Sequence, residues 1–216
     1  MTCVRNRDES DVDGCVEALR AVYETSGYPT NWPADPGGWL RPPGLLQAWV
    51  ATTEDVPVAG HVILMQPLPS ARSAEVSRLF VVPAARRQGV ASVLLETVMG
   101  AATADGLDLF LDVTDHLRDA RALYQRAGFR LMSTTQADWT TPDGGPVTLH
   151  RYAWSRLASH GPRSSSGGGP AGEGAMIVCR SGSRFPAAGD SVCRWGRYTT
   201  QTTHIDPYVR LACGAW

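Results

Sequence analysis

The sequence contains no lysine, because all 20 of its basic residues are arginine. With the abundance of alanine and glycine, this indicates a coding bias toward GC-rich codons, and we attach no chemistry to it. The chain also lacks an excess of either charge, since its formal net charge is −1. The net charge therefore points neither to nucleic acid nor to an acidic partner, and we expect no nucleic acid among its partners.

Long apolar runs are missing as well. No stretch approaches the roughly 18 to 20 consecutive apolar residues that cross a bilayer. The N-terminus does not show the basic region followed by an apolar one that marks a signal peptide. We expect a cytoplasmic protein that does not associate with a membrane.

The five cysteines form an odd set without a C-x-x-C pair. Free thiols in a reducing compartment fit this better than a disulfide framework. A zinc site in the C-terminal region would need ligands that lie far apart in sequence, namely Cys179, Cys193, His204 and Cys213. Tight chelation usually starts from a close ligand pair, so we expect no metal site.

A change of composition near residue 158 divides the chain in two. Residues 159–175 are a Gly/Ser/Pro linker with little to bury, and no convincing periodicity follows it. Residues 1–157 hold 14 arginines against 18 acids, whereas 158–216 hold six against three. We predict one globular domain over 1–157 and a poorly ordered linker and tail over 158–216. A basic appendage that touches an anionic partner is the alternative for the tail.

The domain alternates apolar patterns of period two and 3.6. The predicted strands are 2–7, 47–53, 58–66, 74–83, 107–114, and an antiparallel pair over 129–139 and 147–154. The predicted helices follow Asp8, span 90–102 and span 117–129. Three consecutive antiparallel strands followed by alternating helix and strand indicate an α/β fold with a mixed sheet and helices on its faces.

The segment over residues 27–46 is dense in proline and glycine, which excludes a single regular helix. It is also unusually aromatic for a loop, with Tyr28, Trp32 and Trp39. These rings either line a pocket or cover the edge of the core, and the sequence does not decide between the two.

The stretch PAARRQGVASVLL, which begins at Pro83, joins the end of an apolar strand to the start of a helix. A helix N-terminus presents unpaired N–H groups and a positive field, so this junction can bind an anion. Gly89 allows the backbone to approach a ligand closely, Ala91 keeps the first helical turn small, and nearby arginines add charge. Taken alone, the pattern also fits a solvated turn.

In its context, this stretch resembles the pyrophosphate loop of the GNAT (Gcn5-related) N-acetyltransferases, which reads Q/R-x-x-G-x-G/A. The second matching element is ARALYQRAGF, residues 120–129, which resembles the late helix of that family. The resemblance covers about residues 2–157. It implies a GNAT fold, acetyl-CoA as co-substrate and an acyltransferase acting on an amine.

The resemblance also implies a set of binding residues. The main chain of the fourth strand would pair with the pantetheine arm, and the backbone amides of the loop would hold the pyrophosphate. The implied residues are Leu79, Phe80, Val81, Arg86, Arg87, Gln88, Gly89, Val90, Ala91 and Ser92.

Two catalytic residues follow from the same resemblance. Tyr124 matches the family's tyrosine and would protonate the thiolate of coenzyme A, whereas its alternative role is an ordinary core aromatic. Glu75, eleven residues before Arg86, matches a glutamate base of histone-acetylating relatives, and its alternative is a charge on an edge strand. A backbone N–H near Phe80 or Val81, where the strand typically bulges, would stabilise the thioester oxygen.

The sequence departs from the family at Leu117, where an asparagine often stands, and His116 and Asp119 are its polar neighbours. The expected partners are a small-molecule or peptide amine, bound near the 27–46 loop and the 136–148 hairpin, and a homodimer is left open. The alternative functions are a non-catalytic acyl-CoA-binding module and a degenerate relative.

Overall fold

The computed structural model of the chain describes residues 1–66 and 72–155. The predicted tail, with Cys179, Cys193 and Cys213, lies outside the described residues, and the division at residue 157 stays a prediction. Neither Cys3 nor Cys15 forms a disulfide bond among the described residues. No helix within the described ranges is long and apolar enough to cross a bilayer.

Seven strands of the described chain form one mixed sheet. They are β1 Cys3–Asn6, β2 Leu45–Thr52, β3 Gly60–Met65, β4 Ser73–Val81, β5 Asp108–Thr114, β6 Arg130–Thr140 and β7 Pro146–Trp154. Their order is β1-β2-β3-β4-β5-β7-β6, in which only the β4–β5 pair is parallel. The predicted α/β fold with a mixed sheet is confirmed.

Four α-helices accompany the sheet in the described ranges: α1 Val12–Ser26, α2 Pro36–Trp39, α3 Val90–Ala104 and α4 Arg118–Arg126. Short 3-10 turns precede α1 at Glu9–Asp11 and α3 at Pro83–Ala85. The single turn α2 lies within the segment that is too rich in proline and glycine to form one regular helix. It forms because Asp35 accepts a hydrogen bond from the Gly38 amide at 2.9 Å and Pro36 tolerates the first helical turn.

Helix α1 shows how the amphipathic pattern becomes packing. Its buried face carries Cys15, Leu19 and Val22, all completely inaccessible to solvent, and it packs against β3 and β4. The helix ends at Gly27, whose φ of 68° places it in the left-handed region that glycine adopts without strain. The chain then enters the aromatic segment that leads to α2.

Helix α3 packs closely on β3 because Gly60 has no side chain. A Cβ atom at this position would lie 2.9 Å from the carbonyl oxygen of Phe80, 2.9 Å from Leu94 and 3.1 Å from Val90. The backbone oxygen cannot move aside without disturbing β4. Gly60 therefore sets how near the N-terminal turn of α3 lies to the sheet.

We predict that Gly60→Ala lowers the free energy of unfolding by about 1 to 3 kcal/mol, because the added methyl group overpacks this contact. The matched control is Gly100→Ala in α3, where no atom lies within 4 Å of the added Cβ. That variant should be neutral or more stable by up to about 1 kcal/mol, since alanine favours the helix. Urea denaturation measures both, and equal stability of the two variants would contradict the prediction.

Candidate active site

The centre of the sheet opens between its two parallel strands. β4 and β5 pair only from Ser73 opposite Asp108 to Glu75 opposite Phe110. β4 continues to Val81, and its other edge stays paired with β3. The last β4–β5 pair is Glu75 with Phe110, so residues 79–81 of β4 lie beyond the paired part of the two strands. A free strand edge can accept an extended, amide-bearing ligand as an additional strand.

Above this opening, α3 begins in an unusual backbone geometry. Arg87 has φ of 60° and Gly89 has φ of 79°, so two of three consecutive residues lie in the left-handed region. No atom lies within 4 Å of the position of a Cβ at Gly89, so the dihedral angle, not space, requires glycine there. The helix follows at Val90 without a side-chain cap. Its first N–H groups are consequently available to an anion.

A groove of about 760 Å³ runs from this loop toward α4. Its lining residues are Val81, Pro83, Ala85, Arg86, Arg87, Gly89, Val90, Ala91, Ser92, Asp119, Ala122, Leu123 and Arg126. The groove thus brings together seven of the ten residues predicted to bind the co-substrate. Leu79 and Phe80 are buried within β4, and Gln88 folds back to donate a hydrogen bond to the carbonyl oxygen of Ala84 at 3.0 Å.

The two loop arginines differ in their surroundings. Arg86 donates hydrogen bonds to the carbonyl oxygen of Val81 at 3.5 Å and to the hydroxyl of Ser26 at 3.3 Å. Partial burial lowers the pKa of Arg86 below its ordinary value. Arg86 therefore links β4, α1 and the loop, in addition to contributing charge to the groove.

The predicted bulge of the fourth strand is centred on Arg78, directly before the residues named as oxyanion donors. Ser77 pairs with Ile63 of β3, and Phe80 pairs with His61 of β3. β4 has one residue more than β3 between these two pairs, and the φ of Arg78 is 51°. The Arg78 side chain is 2% exposed. Its guanidinium donates to the carbonyl oxygen of Trp39 and lies 4.7 Å from the centre of the Trp39 ring.

Glu75 lies at the base of the opening. Its chain neighbours Ala74 and Val76 belong to the main core, so the alternation of the strand directs Glu75 to the other face, beside its ladder partner Met65. Burial raises the pKa of Glu75 to about 7, and the nearby Asp112 contributes in the same direction. β4 is central in the sheet, so the alternative of an edge-strand charge is wrong.

Tyr124 is completely buried on α4, where its ring meets that of Phe129 edge to face at 6.0 Å. It belongs to the main core and does not line the groove, which the neighbouring Ala122 and Leu123 do. Its burial is compatible with both predicted roles, the proton donor and the core aromatic.

The start of α4 differs from the family pattern. Leu117 stands at the N-cap position, makes no side-chain cap and packs against the core. His116 is exposed, whereas Asp119 lines the groove. The polar side chain of this helix start that lines the groove is thus a carboxylate rather than an amide.

The aromatic segment mainly covers the core. Tyr28 and Trp39 are 4% and 8% exposed, and their rings meet at 6.1 Å. Trp32 packs on α1 against Tyr23. The same segment also reaches the β6–β7 hairpin, because Asn31 donates a hydrogen bond to the carbonyl oxygen of Thr140 at 3.2 Å. The two elements predicted to face the acceptor are therefore in contact.

Three residues of the opening were not identified from the sequence. Thr114 on β5 has a buried hydroxyl with no hydrogen-bond partner among the described residues. Asp112, two residues earlier, pairs with Arg151 of β7 through contacts of 2.8 and 2.6 Å. An acid inside a strongly apolar strand was the signal that could have marked Asp112, because unpaired charges are rarely buried.

Comparison with known proteins adds a family match. The family model described as "Acetyltransferase (GNAT) family" matches residues 14–129, which is 116 of the 216 residues. The match includes α3, α4 and the loop between β4 and α3. The search of curated proteins returned no significant match.

Solved structures with the same fold include three N-acetyltransferases. The ribosomal-protein-S18-alanine N-acetyltransferase of Escherichia coli has 18% identity and a TM-score of 0.58, covering 77% of this chain and 99% of its own. A GCN5-related N-acetyltransferase from Kribbella flavida has 24% identity and a TM-score of 0.58, covering 71% and 97%. Arabidopsis thaliana NAA60 in complex with acetyl-CoA has 16% identity and a TM-score of 0.59, covering 73% and 99%. At these identities the likeness establishes the fold.

We predict that Glu75→Gln becomes more stable relative to the wild type as the pH rises. Since the pKa of Glu75 is raised from 4.5 to about 7, the folded chain holds this proton where the unfolded chain has released it. The free energy of unfolding of the wild type therefore falls as the pH rises through that window, and glutamine removes this loss. Calorimetry should show a larger Tm difference, variant minus wild type, near pH 8 than near pH 5.

The exposed Glu96, changed to glutamine, is the matched control, and its Tm difference should not follow this trend. A Tm difference for Glu75→Gln that is the same at both pH values would contradict the raised pKa.

Proposed function

The chain belongs to the acetyltransferase (GNAT) family and is an acyltransferase, and from this premise we propose that it transfers the acetyl group of acetyl-CoA to a primary amine. The observation that carries the proposal is the combination of the opened β4 edge with a left-handed loop and an uncapped helix start directly above it. An amide-bearing arm needs the first feature, and a diphosphate needs the second.

The chemistry of the groove suits acetyl-CoA. The N–H groups at the start of α3, together with Arg86 and Arg87, offer donors and positive charge to the pyrophosphate. The main chain of residues 79–81 offers its free edge to the pantetheine amides. Thr114, on the strand across the opening, offers its hydroxyl to the same arm. The co-substrate supplies an activated acetyl thioester, and the chain supplies the groups that move protons and charge.

Glu75 acts as the base in this proposal. A primary amine with a pKa of about 10 is almost wholly protonated at neutral pH and cannot attack a carbonyl carbon until it loses a proton. A carboxylate with a pKa of about 7 is half ionised at neutral pH and accepts protons better than an ordinary glutamate. Its place at the base of the opening puts it on the strand that would carry the acetyl group.

Tyr124 acts as the acid. As the amine nitrogen bonds to the acetyl carbon, the bond from that carbon to sulfur breaks and the sulfur leaves with the electron pair. The tyrosine hydroxyl, which stays protonated near pH 7, gives its proton to this thiolate. The amine nitrogen loses two protons, one before it attacks and one as the amide forms, and Glu75 accepts each in turn and passes it to solvent. Solvent returns one proton to Tyr124, so the reaction releases one proton overall. A backbone N–H beyond the Arg78 bulge stabilises the carbonyl oxygen as it gains charge.

The acceptor would bind where the 27–46 segment meets the β6–β7 hairpin through Asn31 and Thr140. Both small amines and peptide N-termini belong among the compounds to test, since the Escherichia coli structural neighbour is a ribosomal-protein-alanine acetyltransferase by its title. A binding module that holds acetyl-CoA without turning it over is the second candidate. The groove favours it as much as it favours an enzyme, so catalysis has to be tested separately from binding.

We predict that the full chain binds one equivalent of acetyl-CoA and that Gly89→Glu abolishes this binding. The glutamate side chain places negative charge at the pyrophosphate, and its backbone resists a φ of 79°. Isothermal titration calorimetry measures the effect. Gly100→Glu, which adds the same charge at an exposed position of α3, should bind like the wild type. Saturable binding to folded Gly89→Glu would refute the proposed pyrophosphate site.

We predict that Tyr124→Phe lowers kcat by about 100-fold or more while changing the Kd of acetyl-CoA less than about twofold, because it removes only the proton donor. Thiol release measures turnover, with peptides and small amines as acceptors. Tyr152→Phe is the matched control, since Tyr152 is equally buried and accepts hydrogen bonds from Arg121 and Gln125. Equal effects of the two substitutions on kcat would mean that Tyr124 is a core aromatic.

A further inference from the structure

We propose that the Asp112–Arg151 ion pair is a positioning device that sets the protonation state of Glu75. The inference deepens the proposed function, because it assigns two residues outside the family motifs to the base of the acetyl transfer. It rests on three side chains that the sheet brings onto one face from three different strands.

The register of the sheet puts these side chains in a row. Glu75 of β4 stands opposite Phe110 of β5, and Asp112, two residues further, stands opposite Arg151 of β7. Residues two apart on a strand point to the same face. Leu111 and Val113 belong to the main core, so Phe110 and Asp112 face the other side, as Glu75 does. Asp112 therefore lies two residues past Phe110, which is the last residue of β5 that pairs with β4, and so at the start of the opening.

Arg151 holds Asp112 in place through two parallel hydrogen bonds. The Nε and a terminal nitrogen of the guanidinium donate to the two carboxylate oxygens at 2.8 and 2.6 Å. The guanidinium also lies 5.1 Å from the centre of the Phe110 ring. The Asp112 side chain is only 14% exposed, whereas that of Arg151 is 43% exposed. A bidentate pair with a stacked guanidinium has little freedom to rotate, so the charge of Asp112 is fixed beside Glu75.

The charged groups around Glu75 shift its pKa in opposite directions. After burial, the largest contribution that raises the pKa of Glu75 is the negative charge of Asp112. Arg78 on β4 and Arg151 on β7 lower it, as does a hydrogen bond with Ser77. β3 contributes Met65, which carries no charge. Burial is thus the main cause of the pKa of about 7, Asp112 raises it further, and Arg151 is one of three groups that limit the rise.

Asp112 and Arg151 affect the ability of Glu75 to act as a base in different ways. Without Asp112, Glu75 would be ionised at lower pH and would hold the amine proton more weakly. Without Arg151, the carboxylate of Asp112 would be unpaired in a partly buried position, and Glu75 would stay protonated at neutral pH. The pair keeps the carboxyl of Glu75 near the pH at which it can both accept and release a proton.

The test is the titration of Glu75 itself by NMR, in the full chain labelled with glutamate carrying carbon-13 in its side-chain carboxyl. The chain has seven glutamates, and Glu75→Gln identifies the signal. We expect Asp112→Asn to lower the titration midpoint and Arg151→Gln to raise it, each by about 0.5 to 1 pH unit, as a partly screened charge a few ångström away does. Shifts in the same direction, or both under about 0.2 unit, would overturn the proposal.

Two control variants separate charge from shape. Arg151→Lys keeps the positive charge but loses the fork, so its midpoint should stay nearer to the wild type than that of Arg151→Gln. Arg130→Gln removes an equal charge from a side chain of β6 that lines a second pocket together with Arg151 and has no ion pair among the described residues, and it should leave the midpoint unchanged. If one of the two single variants fails to fold, the direction in which the other shifts the titration midpoint of Glu75 still tests the proposal. In the double variant Asp112→Asn/Arg151→Gln, the titration midpoint of Glu75 should lie between the midpoints of the two single variants.

The pH profile of thiol release from acetyl-CoA in water, without added amine, distinguishes this proposal from the one it rests on. If the profile moves with the NMR midpoint in each variant, both proposals are supported. If the midpoint moves and the profile does not, the ion pair tunes Glu75, but Glu75 is not the base. If neither moves, the ion pair has no such role.

Discussion

The site depends on one constraint, which is that the two parallel strands β4 and β5 stay together over only three residue pairs. β5 continues upward paired with β7 through Thr114, while β4 continues paired with β3 through Val81. Each strand thus keeps a partner on its outer side, and the inner edges separate. The extra residue at Arg78 increases the local twist of β4. A sheet that would otherwise be closed at its centre exposes backbone hydrogen-bonding groups there, and these groups need a partner.

The order of elements could be predicted because each strand and helix carries its own apolar period. The fourth strand was expected over 74–83 and spans Ser73–Val81, since Pro83 begins a 3-10 turn. The insertion of β7 between β5 and β6 could not be predicted. It depends on pairing between residues about forty positions apart, to which local periodicity is insensitive. The single turn of α2 depends on one capping aspartate within a segment rich in breakers.

The candidate site also has a part that could be predicted from the sequence and a part that could not. Gly89 and its neighbours are contiguous in sequence and work through the backbone, so a short motif identifies them. Glu75, Asp112 and Arg151 come from three strands and meet only through the register of the sheet. No sequence spacing relates these three residues to one another, and the only sequence signal is the presence of charged residues in apolar strands. The part of the site proposed to bind through main-chain atoms can be predicted from the sequence, whereas the ion pair proposed to tune Glu75 cannot.

The contact between Arg78 and Trp39 joins the strand bulge to the segment that precedes β2. Any rearrangement of α2 would withdraw both the ring and the carbonyl oxygen from a buried guanidinium, and a buried cation that loses its partners costs several kcal/mol. The C-terminal end of this segment is therefore an anchor. If the acceptor binds as proposed, adaptation to acceptors of different size falls to residues 27–34 and to the hairpin they touch. Substitutions that broaden acceptor choice should then accumulate there without disturbing the strand proposed to hold the thioester.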